Sequence, residues 1–136
     1  LGVMIVMHGE IHTAREAVKM NTEEDDAALQ AALAQGARGL VISVVGAGNV
    51  NQALFRGINA ALEAGVAVVI ATRVPHGLVR PLYAYSGGGV SLREVGAIMA
   101  GDLTPQKARV LLLVALANGV EGAELHRLFE GDAPIL

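Results

Sequence analysis

Two apolar stretches without alternation, Gly39 to Val45, in which Ser43 is the one polar residue, and Val66 to Ala71, constrain this chain more than any other feature. An apolar run without alternation needs cover on both faces, which is the situation of a strand inside a parallel sheet. Between the two lie the turn Gly46-Ala47-Gly48-Asn49 and a stretch from about Asn51 to Ala64. That stretch brings Leu54, Ile58, Ala61 and Leu62 onto one helical face and stops at Gly65. Strand, glycine turn, helix and strand within about 30 residues make a βαβ unit, which crosses over right-handed onto a parallel sheet. The fold class that follows is α/β.

The flanking segments extend this unit into a three-layer, Rossmann-like parallel sheet with flanking helices, preceded by a β-hairpin. Gly2 to Met7 is apolar and β-rich, His8-Gly9 offers a turn, and Glu10 to Arg15 alternates with a period near two. From Asp25 to Gln35, Leu29, Ala32 and Leu33 share a helical face, with Gly36 in the C-cap position. Ser91-Leu92-Arg93-Glu94 has the spacing of an N-terminal capping box and predicts a helix start there. Thr104 can cap a helix with Pro105 at N1. Its continuation, Val110 to Ala117, is apolar all round, so this helix is predicted to be mostly buried until Asn118-Gly119 ends it. A last amphipathic helix carries Leu125, Leu128 and Phe129.

Composition narrows the classes of partner. The chain has 136 residues, of which 53% are hydrophobic and 17% charged, an apolar balance that predicts a large interface around one compact unit. The longest apolar run, Val110 to Ala117, falls far short of the roughly 20 residues that span a bilayer, so no membrane is expected. A net charge of −3 with scattered Lys and Arg leaves no footprint for nucleic acid. The absence of cysteine excludes disulfides, thiolate zinc sites and a cysteine nucleophile. Val3 to Met7 follows no charged segment and precedes no small-residue cleavage pattern, so it reads as a strand and not a signal peptide, and a cytoplasmic location is the expectation.

Few residues combine into chemistry by spacing alone. His8, Glu10 and His12 would share one face of a strand, which invites a metal, but the solvated face of a hairpin explains the same residues and is the preferred reading. A glycine turn ahead of a helix leaves free N–H groups that suit a carboxylate or phosphate, while Asn49 or Asn51 could simply cap that helix. A dinucleotide motif fails, because its third glycine would fall at Asn51. Arg73 ends a buried strand where α/β ligand sites gather, and an ion pair holding the next loop accounts for it as well.

Three motifs in order carry a family resemblance: Val45-Gly46-Ala47-Gly48-Asn49-Val50, then Thr72-Arg73-Val74-Pro75-His76-Gly77, then Gly101-Asp102-Leu103-Thr104-Pro105-Gln106-Lys107-Ala108-Arg109-Val110-Leu111-Leu112. Together they resemble the C-terminal domain of the bacterial L-asparaginase/glutaminase family over about Asp25 to Phe129. Gly2 to Met7, Glu10-Ile11-His12 and Val18 to Thr22 are similar to the end of that family's N-terminal domain. The resemblance therefore divides the chain into residues 1–22, a hairpin remnant of the N-terminal domain, and 23–136, the C-terminal α/β domain. A long connection and the first strand of the C-terminal domain lie between these pieces in family members. Two readings stay open: a natural or engineered deletion, and a sequence that omits a stretch of a longer protein.

By resemblance, the family hydrolyses the side-chain amide of L-asparagine, and often of L-glutamine, through a threonine nucleophile assisted by tyrosine, a second threonine, aspartate and lysine, with no metal or other cofactor. A threonine hydroxyl is a weak nucleophile at neutral pH and needs a base and oxyanion donors close by. The four threonines here, Thr13, Thr22, Thr72 and Thr104, stand in none of the family's nucleophile settings. The expectation is a domain inactive unless another chain completes it. Lys19 matches the family's catalytic lysine, and an exposed hairpin lysine is the competing reading. Asn49 matches an asparagine that a neighbouring subunit lends to the substrate pocket, which implies a homo-oligomer. Where many members add a glutamate from that subunit, Gly87-Gly88-Gly89 stands here, as either a mobile loop or a backbone-close contact at a subunit interface. The alternatives to an asparaginase-type role are a non-catalytic oligomerisation module and the equivalent domain of an archaeal tRNA-dependent amidotransferase subunit.

Overall fold

The computed structural model describes residues 3–7, 10–12, 26–46, 48–74, 78–79, 81 and 84–131. Their strands form one five-stranded sheet in the order β2-β1-β3-β4-β5, with β1 Val3–Met7, β2 Glu10–His12, β3 Gly39–Val44, β4 Ala67–Thr72 and β5 Ile98–Met99. β1, β3, β4 and β5 run parallel, and only the hairpin partner β2 is antiparallel. The expected hairpin thus forms, and it joins the sheet: Val3 pairs with Gly39 and Val6 with Ile42. Arg109 reinforces that seam, its Nε donating to the Val3 carbonyl at 2.7 Å.

Among the described residues five helices cover the sheet: α1 Ala27–Ala34, α2 Gln52–Glu63, α3 Gly89–Glu94, α4 Pro105–Ala117 and α5 Gly122–Glu130. Side chains alternate along the central strands, so each strand supplies two cores. Leu40, Ile42 and Val44 of β3 with Val68 and Ile70 of β4 pack against Leu29, Leu54, Ile58 and Leu92 from α1, α2 and α3. Val41, Val69 and Ala71 point the other way, onto Ala108, Leu112, Leu125 and Phe129 of α4 and α5. Helix, sheet and helix make the three layers that two continuously apolar strands require. Every residue of β3 is buried, whereas Val45, expected in the strand, lies beyond its end and is exposed.

α2 and α4 begin as their sequences imply. The Asn51 side chain accepts from Leu54 N at 2.9 Å, and Thr104 Oγ1 accepts from Lys107 N at 3.4 Å ahead of Pro105. Two expectations are corrected. α4 is not mostly buried: Ala108, Leu112 and Ala115 face the sheet, while Val110 and Val114 are each 54% exposed and Leu113 39%. An apolar sequence on all sides fixes the helix but not its cover, and one sheet buries only one stripe. α3, moreover, starts at Gly89 after an N-cap at Gly88, so Ser91 lies inside it and Glu94 is its last residue. The capping-box spacing fails because the Ser91 hydroxyl is engaged behind itself, with Gly87, Gly88 and Tyr85. β5 is short and has no counterpart among the expected elements. It pairs Ile98 with Val69 and Met99 with Ile70.

Candidate functional site

Parallel α/β sheets bind ligands at the carboxyl ends of their strands, where loops leave the sheet. Here three connections meet at that end: the turn after β3, the segment after β4 and the loop after β5. Their backbones are knitted together. Arg73 N donates to Val44 O at 3.1 Å, Val79 N to Gly101 O at 3.0 Å and Val50 N to Gly87 O at 2.9 Å.

The turn after β3 carries Asn49. Gly48, with φ +108°, is pressed against Val79, whose Cγ1 would lie 2.8 Å from any Cβ placed there. A side chain at this position is excluded by backbone conformation and by space alike. The turn therefore passes under Val79 and delivers Asn49, half-buried, directly before the Val50-Asn51 entry to α2. Asn51, and not Asn49, caps the helix. This leaves the Asn49 amide for other work: its Oδ1 is buried and accepts no hydrogen bond within the described structure. A buried acceptor in that state costs about 1–3 kcal/mol. A ligand amide or ammonium bringing one donor would recover it.

Other polar groups at this end serve the fold. Thr72, buried at the end of β4, accepts from Val74 N at 3.2 Å and holds the chain as it leaves the sheet. Thr104 caps α4. Ser43 Oγ, on β3, is buried without a hydrogen-bond partner among the described residues. Arg73 is half-buried at the start of the segment after β4. Lys19, the other predicted site residue, lies outside the described residues, as do His8, Thr13, Thr22 and His76. Among the described residues no cluster of three His, Asp or Glu could hold a metal ion. No helix among them is long and apolar enough to cross a membrane.

The triglycine segment makes a contact that the sequence reading did not anticipate. Gly87 makes a backbone-close contact within its own chain: a Cβ there would lie 2.3 Å from the Val50 carbonyl oxygen, at φ +90°. Sequence reasoning missed Ser91 as a member of this neighbourhood, because its spacing to Glu94 imitates a helix cap. A separate cavity of about 520 Å³ opens at the opposite, amino-terminal end of the strands, lined by Arg38, Leu62, Val66, Ile98, Leu125 and His126 among others. It shares no residue with the Asn49 turn.

Comparison with known proteins identifies the family. The family model described as the glutaminase/asparaginase C-terminal domain matches residues 16–129. A probable L-asparaginase of Deinococcus radiodurans is 44% identical over 93 residues, covering 68% of this chain and 28% of that protein. An L-asparaginase of Bacillus licheniformis is 36% identical over 109 residues, 80% of this chain and 34% of the relative. A glutamyl-tRNA(Gln) amidotransferase polypeptide of Thermofilum pendens is 35% identical over 100 residues, 74% of this chain and 22% of that protein. The matched region thus spans about a third or less of each of these relatives. With the family model covering most of its length and the parallel sheet and glycine turn in place, this chain belongs to the glutaminase/asparaginase C-terminal domain family.

Proposed function

We propose that the chain serves an asparaginase-type amidohydrolase, converting L-asparagine to L-aspartate and ammonia, by lending Asn49 to an active site shared between subunits. The observation that carries this reading is the buried, unpartnered Asn49 Oδ1 on a turn fixed at the carboxyl end of the sheet. An isolated acceptor of this kind can orient a substrate's ammonium or amide but cannot attack a carbonyl. Bond cleavage then belongs to a threonine nucleophile on another part of the assembly, and Lys19 to proton transfer beside it. L-Glutamine is the second substrate of the completed site. In this reading residues 1–22 are the remnant of the preceding domain and 23–136 the C-terminal domain, and the protein acts in the cytoplasm.

The assembly is a homo-oligomer. Val110, Leu113 and Val114, with Ala117 one turn on, form an exposed apolar stripe along α4. A charge placed in that stripe, Val114→Asp, is expected to move the protein toward monomer in sedimentation velocity. The same stripe supports the rival reading, a non-catalytic oligomerisation module. The similarity to the amidotransferase polypeptide supports a third, in which the released ammonia feeds a tRNA-dependent reaction.

Ammonia release by the purified chain from L-asparagine and L-glutamine tests the division of labour. Release no faster than the blank is expected. Appreciable release, abolished by Lys19→Ala, would mean that the chain owns its chemistry and would overturn the shared-site reading.

A further inference from the structure

With the shared-site role of Asn49 as premise, we propose that Ser91 and Gly87 are positioning residues that clamp the Asn49 turn in its working conformation.

The chain of contacts is short and complete. Ser91, in the first turns of α3, accepts a hydrogen bond from Gly87 N at 3.2 Å. Its own proton faces two carbonyls, Tyr85 O at 2.7 Å and Gly88 O at 3.0 Å. One hydroxyl thus gathers the loop from Tyr85 to Gly88, which is closed again by Gly88 N donating to Tyr85 O at 2.7 Å. The loop so formed presents the Gly87 carbonyl to Val50 N at 2.9 Å. Val50 is the residue after Asn49, so this bond fixes the peptide that follows the site residue. Gly87 is required because its φ of +90° and the 2.3 Å approach of Val50 O to a Cβ position leave no room for a side chain. On the other flank Val79 packs on Gly48. Asn49 is consequently held from both sides, by packing before it and by the Ser91-supported hydrogen bond after it. Preorganisation of this kind matters for a residue that offers a single acceptor, since a misdirected amide loses its whole contribution.

The clamp can be read without turnover, in the ¹⁵N-labelled full chain. Ser91→Ala is expected to speed amide exchange at Val50 about tenfold, the loss of one supporting hydrogen bond, while exchange at Leu40 to Val44 stays as it was. The Asn49 side-chain amide signals should shift, and Ser91→Thr, which restores the hydroxyl, should return both readouts. Asn49→Ala should leave Val50 exchange unchanged. Unaltered Val50 exchange in Ser91→Ala, or an increase shared equally by β3, would overturn the clamp, as would failure of Ser91→Thr to restore it. Gly87→Ala gives the same test from the other partner, and Ser91→Ala decides even where that variant does not fold. In an assembly that turns over L-asparagine, Ser91→Ala should raise KM several-fold with kcat within about twofold. If Asn49→Ala raises KM and Ser91→Ala does not, the positioning role falls. If Asn49→Ala itself leaves KM alone, the shared-site premise falls, while the clamp still stands or falls on Val50 exchange.

Discussion

The middle of the sheet and its carboxyl end follow different rules. β3 and β4 are filled with Leu, Val, Ile and Ala that meet helices on both faces, and their register is continuous from Gly39–Ala67 to Val44–Thr72. Near the end of β3 and a few residues further on, the chain leaves the Ser43 Oγ and the Asn49 Oδ1 buried without partners among the described residues, and it uses glycine where side chains cannot fit. The middle secures stability through apolar area removed from water. The end gives up some of that stability to hold a turn in one shape, a common signature of a working site.

Substitutions can break or sharpen this contrast. Ile70→Ala, at a fully buried position in the middle of β4, should cost about 2–5 kcal/mol in chemical denaturation, the largest effect of the set. Gly87→Ala should cost about 2 kcal/mol by the same measurement, because it combines a left-handed backbone with the approach of Val50 O. A cost there as small as that of an ordinary surface alanine would remove the distinction between middle and end. Ser43→Ala should be neutral or raise Tm by a few degrees, since it deletes a buried hydroxyl that has no partner to lose. Destabilisation by about 1 kcal/mol or more would show that Ser43 is satisfied after all. Glu130→Ala, which breaks the 2.8 Å ion pair with Arg93 between α5 and α3, should cost less than about 1 kcal/mol and less still at high salt.

How much of this was legible in the residues follows from the same contrast. The βαβ unit could be read because two apolar runs without alternation flank a clean amphipathic stripe, and the Asn51 and Thr104 caps because their local chemistry is sufficient. The cover of α4 could not, since residues such as Val110 and Val114 are apolar whether they meet a sheet or stand exposed. β5 escaped notice because two residues show no periodicity, and their strand character comes from pairing with Val69 and Ile70. At the candidate site, the glycine turn that carries Asn49 was legible through its motif. The part of Ser91 was hidden, because a local spacing that suggests a cap competes with a contact four to six residues back along the chain. The Gly87–Val50 approach joins positions 37 residues apart and leaves no local signal beyond the run of glycines itself.

The most direct test of the shared-site account is complementation. The Deinococcus radiodurans relative, shortened by the region matched here, would be mixed with this chain and assayed for ammonia release from L-asparagine. Release that requires this chain, and that falls about tenfold or more with Asn49→Ala, is the predicted result, the drop matching the loss of one hydrogen bond to a charged group. Equal release by the wild-type and Asn49→Ala chains would contradict the account and leave the domain a scaffold.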